Sequence, residues 1–270
     1  MHIADGNPIL FVFNRVMDTL IGVGLAFLVN SAHLPRAKNN DILFVSGIDD
    51  TLLDSRYQLS SYSRIELNQM IEQGAHFTVS TIRTPASLME VMQGVKLKYP
   101  VIAMDGAVLY DMKENSYLMK YQMSESQAER MADFLTQQSA HFFINTVVDD
   151  TVVIYYDILD NEAQQKIFAS KRHSPYRNYV HTQSPAYDNV IYFFLIDQKE
   201  KIDRLYDELL KQPWASEYRI AKADSVNYPG YTHLKIYHKD ATRDHMLENL
   251  KAILNLEKTV TFGSIQECYD

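Results

Sequence analysis

Two adjacent carboxylates lie in a loop directly after a short apolar run of the sequence. The run Ile42–Ser46 is followed by Gly47, and Asp49 and Asp50 come just before Thr51. A carboxylate at a strand end, beside the N–H groups of a turn, can act as an acid, a base or a metal ligand. Turn capping and solvation are the alternative role for such a pair. The loop is therefore a candidate site for proton transfer or metal binding, with simple turn formation left open.

A second apolar segment ends in two hydroxyl residues. Ser80 and Thr81 close the run that begins at His76, and Arg83 follows shortly after them. A hydroxyl nucleophile needs a base such as histidine beside it, and no histidine is placed next to this pair in the sequence. Hydroxyl and guanidinium groups together favour phosphate binding instead.

The composition excludes several classes of protein. The chain has 270 residues, of which 46% are hydrophobic and 22% are charged, as in ordinary globular proteins. Its net charge of −8 argues against a broad nucleic-acid-binding surface, although a local pocket can still bind a small anion. Because Cys268 is the single cysteine, neither an internal disulfide nor a cysteine-based zinc site can form. The spacing of His233, His238 and His245 does not indicate a zinc site either.

The elements that must hold the candidate residues alternate between strands and helices from residue 42 onward. Apolar runs predict strands at Ile42–Ser46, 76–81 and 100–104, and helical spacing predicts helices over 61–73 and 85–93. Such alternation predicts a parallel α/β sheet. Ligands of these sheets bind at the carboxyl ends of the strands, where the hydroxyls and carboxylates lie.

The middle of the chain has a different pattern, which predicts a small α+β insert. Segments 142–148 and 151–157 flank Asp149 and Asp150 and predict a hairpin, and 190–196 predicts a strong strand. Eleven of the 18 tyrosines lie between residues 151 and 240. They indicate half-buried sheet surface, and an aromatic wall facing a substrate is the alternative.

An apolar segment, residues 8–30, precedes this alternating region. It is long enough to span a membrane, but Arg15 and Asp18 would be costly in lipid. A buried amphipathic helix and a membrane segment therefore both stay open, and a cleaved signal peptide fits poorly. The polar linker 33–41 carries basic residues, which suit the cytoplasmic side of a membrane.

A series of segments between residues 41 and 264 resembles the haloacid dehalogenase (HAD) superfamily, in particular its Cof-like subfamily IIB. Segment 46–54 (SGIDDTLLD) resembles the D-x-D-x-T motif, and 80–83 resembles the second motif. Segments 235–250 and 259–264 resemble the third and fourth motifs. The resemblance implies an α/β fold: a HAD-like Rossmannoid parallel-sheet core with an inserted α+β (C2B-type) cap.

The resemblance also implies a division of the chain. The core would comprise residues 39–113 and 230–270, and the cap would comprise 114–229. Residues 1–38 would form the apolar helix, a possible membrane segment, and the linker. Residues 15–30 also resemble the last membrane helix of the aromatic-acid-exporter family.

Aligned on Thr51, the first motif departs from the family pattern at the residue that matters most. The resemblance places Asp49 at the general acid/base position and Gly47 at the position of the phosphoryl-accepting nucleophile. Glycine has no side chain to attack phosphorus. The lysine of the third motif falls on Arg243, which keeps the charge but differs in shape. In a segment that resembles I-x-x-N-G-A, Asp105 replaces the asparagine.

The resemblance implies a phosphate site, whose residues are present, and a magnesium site, which lacks two carboxylates. The implied phosphate-binding residues are Thr81, Arg83, Arg243 and Asp50. In relatives, Mg²⁺ is held by the nucleophile carboxylate, a backbone carbonyl near the Asp49 position and a fourth-motif carboxylate. Here Gly47 and Ser264 stand at the two carboxylate positions, so we expect weak or no Mg²⁺ binding.

The sequence therefore predicts a phosphatase-type protein that acts on or binds small phosphate monoesters such as phosphosugars. Its catalysis is expected to be impaired. The expected location is the cytoplasm, and association with the inner face of the membrane through residues 8–30 is left open. Three alternatives remain. The first is an inactive phospho-metabolite-binding regulatory domain tied to a transporter-like membrane segment. The second is an active phosphatase with Asp50 or Asp49 as substitute nucleophile, and the third is a non-functional remnant.

Overall fold

The computed structural model describes residues 41–54 and 56–263. The apolar segment within 1–38, with its exporter-like stretch, lies outside these residues, as do Ser264 and Cys268. Among the described residues, no helix is both long enough and apolar enough to cross a membrane.

Six helices and twelve strands make up the described residues. The helices are Ser61–Glu72 (α1), Pro85–Val91 (α2), Glu125–Gln137 (α3), Glu162–Lys171 (α4), Lys199–Leu210 (α5) and Arg243–Leu254 (α6). The first six strands are Ile42–Ser46 (β1), His76–Val79 (β2), Val101–Ala103 (β3), Val108–Asp111 (β4), Ser116–Lys120 (β5) and Phe143–Val148 (β6). The others are Thr151–Tyr156 (β7), Arg177–His181 (β8), Val190–Gln198 (β9), Tyr218–Asp224 (β10), Tyr231–His238 (β11) and Lys258–Phe262 (β12).

The predicted parallel sheet is present, which confirms the α/β fold class. Strands β12, β1 and β2 run parallel in that order, with Ser46 opposite both Phe262 and Val79. A parallel bridge between Ser80 and Ile102 continues this arrangement to β3. The carboxyl ends of these strands therefore meet at one edge, where the acidic loop and the two hydroxyl residues lie.

A six-stranded sheet, in the order β10-β11-β9-β6-β7-β8, accounts for most of the insert. The hairpin prediction is confirmed, because β6 and β7 pair antiparallel with Val148 opposite Thr151. Asp149 and Asp150 have φ angles of 45° and 58°. A two-residue turn with both residues at positive φ matches the twist of the strands that it joins.

Sheet membership does not follow the expected boundaries of the insert. Strand β5 pairs with β4, and β4 with β3, in a three-stranded sheet that extends past residue 114. Strand β11 lies between β9 and β10 in the six-stranded sheet, so this sheet extends past residue 230 to His238.

The two faces of the six-stranded sheet have different neighbours. On one face, Phe193 and Leu234 belong to a buried cluster with Met131 of α3 and Leu205 of α5. On the other face, side chains such as Phe194 share a buried cluster with residues of the parallel-sheet region. This second face is therefore the one that lies toward the strand ends.

Gly106 permits a close approach between the segment after β3 and the start of α6. Its φ is +86°, and a Cβ built there would lie 2.1 Å from the backbone carbon of Thr242. A side chain at this position would push α6 away from the strand ends. Glycine is thus required both by conformation and by space.

Replacing Gly106 with alanine is expected to destabilise the protein by about 2–4 kcal/mol, because left-handed strain and a backbone clash combine. Gly74 is the matched control: its φ is +98°, but no atom lies within 4 Å of its built Cβ. Gly74→Ala should cost only about 1 kcal/mol. Urea unfolding followed by circular dichroism measures both, and equal losses would contradict the role given to the contact with Thr242.

Candidate functional site at the strand ends

The loop after β1 is fixed by its backbone. The buried Gly47 donates its N–H to the carbonyl of Phe262 at 2.9 Å, and its own carbonyl accepts from Ser46 Oγ at 2.8 Å. The carbonyl of Ile48 accepts from the N–H of Leu52 at 2.8 Å. The acidic loop therefore forms a tight turn whose first residue offers only backbone atoms.

Asp49 forms a buried ion pair with Arg83. Arg83 Nε donates to Asp49 Oδ1 at 2.8 Å and to Oδ2 at 3.1 Å, and Nη2 also donates to Oδ1. The Asp49 side chain is 0% exposed and that of Arg83 is 16% exposed. The pair links the first motif to the second, and it engages both oxygens of the carboxylate placed at the general acid/base position.

The segment that carries Arg83 is held by hydrogen bonds within its own loop. The N–H of Arg83 donates to Thr81 Oγ1 at 3.2 Å, and its carbonyl accepts from the N–H of Met104 at 2.8 Å. Thr81 is fully buried. By contrast, the buried hydroxyl oxygen of Ser80 has no hydrogen-bond partner within 41–54 and 56–263. After β2, the hydroxyl of Thr81 thus accepts a hydrogen bond, whereas that of Ser80 forms none with the described residues.

Asp50 lies on the outside of the same loop. It is exposed, and its Oδ1 accepts from Thr51 Oγ1 at 2.8 Å. Gly263, in the segment that resembles the fourth motif, packs against this pair: a Cβ on it would lie 2.1 Å from Thr51 Oγ1. The first and fourth motifs therefore meet as the resemblance implied, and Ser264 follows directly outside the described residues.

A second carboxylate, Asp105, is bound by two arginines. Arg243, the first residue of α6, donates from Nε to Asp105 Oδ1 at 2.8 Å. Arg219 of β10 donates from Nη1 to Asp105 Oδ2 at 2.7 Å and from Nη2 to its carbonyl at 3.0 Å. Arg219 was not expected at this site, because no motif includes it and it lies far from Asp105 in the sequence.

Both arginines assigned to phosphate binding are thus engaged by carboxylates. Arg83 pairs with Asp49, and Arg243 pairs with Asp105, whose side chain is 19% exposed. An incoming phosphate would share these guanidinium groups with the aspartates. Guanidinium has five N–H donors in a planar fork, so sharing is possible.

A cavity of about 80 Å³ lies between the loop after β2 and the face of the six-stranded sheet that lies toward the strand ends. Arg83 and Ser87 line one side of it. Lys171 of α4, Arg177 of β8 and Lys235 of β11 line the other. Among the described residues, its lining contains four cationic side chains and no carboxylate, so the cavity favours an anion despite the negative charge of the whole chain.

Aromatic side chains form part of the cavity wall. Tyr179 and Tyr192 line it together with Phe143 and Phe194. Burial raises the pKa of the Tyr179 and Tyr192 hydroxyls above the ordinary value for tyrosine. Both therefore stay neutral at physiological pH and can donate hydrogen bonds. Tyrosine clustering in the sequence was the only signal for this wall, and it did not distinguish these two from the other tyrosines.

A metal ion at the strand ends would need several ligand atoms within reach of one another. Within 41–54 and 56–263, no group of three or more His, Cys, Asp or Glu side chains is arranged to hold one. Gly47 supplies no ligand atom from a side chain, and Asp49 is engaged by Arg83.

Comparisons with known proteins agree with the motif pattern. The profile of a family described as haloacid dehalogenase-like hydrolases matches residues 44–265. A Mycoplasma pneumoniae protein proposed to be a phosphatase is 32% identical over 140 residues, which are 47% of either chain. The match thus spans about half the length of this curated relative.

Solved structures share the fold. A protein from Thermotoga maritima matches with a TM-score of 0.63 and 22% identity, over 82% of this chain and 79% of that chain. A HAD subclass IIB sugar phosphatase matches with a TM-score of 0.60 and 18% identity, over 83% of this chain and 80% of that chain.

Replacing Asp105 with asparagine is expected to destabilise the protein by about 2–3 kcal/mol, because two partly buried guanidinium groups lose their shared carboxylate. Glu72→Gln is the control, since Glu72 pairs with Lys96 at the surface, where both side chains are more than half exposed. That change should cost at most about 1 kcal/mol. Denaturant unfolding compares the two, and a loss at Asp105 no larger than the control would refute the importance of the cluster.

Proposed function

The chain belongs to the haloacid dehalogenase-like hydrolase family, whose phosphatases act on phosphorylated small molecules, and we propose that it binds small phosphate monoesters such as phosphosugars while hydrolysing them poorly or not at all. One observation carries this proposal. Gly47, buried at the end of β1, is the residue that the motif pattern places where a nucleophilic carboxylate is needed. A covalent phosphoryl intermediate requires a side chain at that point.

The nearest acidic side chains do not easily replace the missing nucleophile. Both oxygens of Asp49 accept hydrogen bonds from the buried guanidinium of Arg83. Asp49 therefore acts as an acceptor in this arrangement, whereas a general acid must bring a proton to the leaving group. Asp50 is exposed and bonded to Thr51. It is the better of the two candidates for a substitute nucleophile.

The family generally uses Mg²⁺, but the residues of this chain do not fit the ion. Mg²⁺ is bound through one or two carboxylates together with substrate phosphate. Glycine stands at one carboxylate position and Ser264 at the other, and Asp49 is paired with Arg83. We therefore expect ligand binding that does not depend on Mg²⁺.

Positive charge and hydrogen-bond donors support phosphate binding at the strand ends. Arg83 both pairs with Asp49 and lines the cavity. Arg243 stands at the first turn of α6, and Thr81 holds the loop of Arg83. We propose that the core holds the phosphate and that the insert acts as a cap over it, with the cap boundaries near 114 and 229 adjusted to the sheets.

The regulatory alternative depends on residues 8–30, which lie outside the described part of the chain. A cytoplasmic phospho-metabolite-binding domain tied to a membrane segment stays a prediction from the sequence. It shares with the main proposal the binding of a phosphorylated ligand without turnover.

Restoring the two missing carboxylates is expected to create activity. The natural chain should release no phosphate from a panel of phosphate monoesters with or without Mg²⁺. The double variant Gly47→Asp, Ser264→Asp should show Mg²⁺-dependent release, because it supplies both a nucleophile and a metal ligand. The double variant with asparagine at both positions is the control, since it adds similar volume without charge.

Mg²⁺-dependent release by the natural chain would contradict this account. Loss of that release in Asp50→Asn would then identify Asp50 as a substitute nucleophile. The chain would in that case be a working hydrolase.

Replacing Asp49 with asparagine is expected to leave binding of a phosphate monoester unchanged or make it tighter by a few fold, because Arg83 is released from its carboxylate. Calorimetric titration in EDTA measures this affinity.

The double variant Asp49→Asn, Arg83→Met should bind the phosphate monoester at least about tenfold more weakly than Asp49→Asn, because it loses a charge-assisted hydrogen bond. It removes Arg83 without leaving a buried charge unpaired. Asp54→Asn, at an exposed ion pair with Arg56, is the control.

A further inference from the structure

Arg177 is a buried cation with an unused donor that faces the cavity. It lies on β8, is 7% exposed, and lines the cavity on the side opposite Arg83. Its Nε is buried and has no hydrogen-bond partner in the described part of the chain. No carboxylate of the described residues forms an ion pair with it, and its neighbour Tyr179 offers only a neutral hydroxyl. Burial of a guanidinium group without a counter-charge is costly.

Asn145 lies on the same wall. It is 4% exposed and lines the cavity from β6. Lys235 and Lys171 line the cavity as well. A buried guanidinium whose Nε lacks a partner among the described residues, facing the same cavity as a buried amide, is typical of a site that a ligand completes.

This wall is separate from the strand ends. Arg83 approaches the cavity from the loop after β2, next to the motif residues, whereas Arg177 and Asn145 approach it from the six-stranded sheet. Because these donors come from a different element than Arg83, a phosphate bound by Arg83 need not engage them. A second acceptor on the same molecule would satisfy them.

We propose that the sheet wall, formed by Arg177 and Asn145, binds a second anionic group of the phosphorylated ligand, so that the ligand class is small metabolites with two anionic groups. This inference rests on the proposed function, since it takes the first group to be a phosphate monoester at Arg83. A carboxylate and a second phosphate have the shared chemistry that the wall recognises. The neutral hydroxyls of Tyr179 and Tyr192 are additional donors to such a group.

Matched probes test the proposal and separate the two kinds of group. Glycerol 3-phosphate is compared with 3-phosphoglycerate, which adds a carboxylate, and fructose 6-phosphate with fructose 1,6-bisphosphate, which adds a phosphate. Binding to the full chain is measured by calorimetry in EDTA at constant ionic strength. We expect at least one of the probes with two anionic groups to bind about tenfold or more tightly than its partner, as a charge-assisted hydrogen bond provides.

Arg177→Gln should reduce that preference to within about twofold and leave the affinity for the probe with a single anionic group unchanged. Arg172→Gln is the control, since Arg172 is exposed and does not line the cavity. Without ligand, Arg177→Gln should raise the Tm by about 2 °C or more, because a buried unpaired charge is removed. Asn145→Asp, which places a carboxylate beside Arg177, is the second variant and should abolish the same preference.

The outcomes distinguish the inference from the function beneath it. If both members of each pair bind the natural chain equally, or if Arg177→Gln weakens both members alike, the second anionic site is refuted while phosphate binding stands. If none of the four probes binds, the proposed function fails and the inference fails with it.

Discussion

The buried ion pair between Asp49 and Arg83 is the contact on which the strand-end region depends. It joins the loop after β1 to the loop after β2 across the carboxyl edge of the parallel sheet. A buried pair stabilises only when its geometry satisfies both partners, and loss of one partner leaves a charge that cannot be solvated. The N–H of Arg83 donates to Thr81, and the N–H of Met104 donates to the carbonyl of Arg83. These bonds fix the arginine backbone and so help to hold the guanidinium group against Asp49.

The same pair gives Arg83 two roles. Its Nε and Nη2 bind Asp49, and the side chain also lines the cavity. The cavity is consequently the place where the core and the six-stranded sheet present cations to each other with no carboxylate in the lining. A chain with a net charge of −8 thus keeps a local positive site, because its acidic residues lie elsewhere.

The parts of the structure that the sequence predicts are those with local signals. Apolar runs and helical spacing identify β1, β2 and the helix that follows each of them, and two aspartates between strand patterns identify the β6–β7 turn. Strand β8 was missed because only its first residue, Arg177, is buried, so it lacks an apolar face. Strand β11 is buried along most of its length, so it lacks the alternation of a strand with one solvent-exposed face. Its partners β9 and β10 are set by pairing that no local pattern encodes.

The site divides in the same way. Residues in recognisable motifs, such as Asp49 and Arg83, could be named from the sequence, although their mutual ion pair could not. Arg177 and Arg219 could not be named, because each comes from a strand of the insert and acquires its role only through the tertiary fold. Long-range contacts of this kind depend on the position of a whole sheet. Neither the amino-acid composition nor the spacing of residues in the sequence predicts that position.

The departures at 105 and 243 meet in one contact, and this bears on how the site came to differ from the motif pattern. The pattern has asparagine and lysine at these positions, whereas this chain has Asp105 and Arg243, joined at 2.8 Å. An added carboxylate would be costly unless cations compensate it, and Arg219 supplies a second one from β10. Arginine suits this contact better than lysine, because its planar fork directs several donors at one partner. The carboxylate takes up donors that a phosphate or a catalytic aspartate would otherwise use, and it ties the six-stranded sheet to the start of α6. The two departures from the motif pattern thus belong to one contact between the insert and the core.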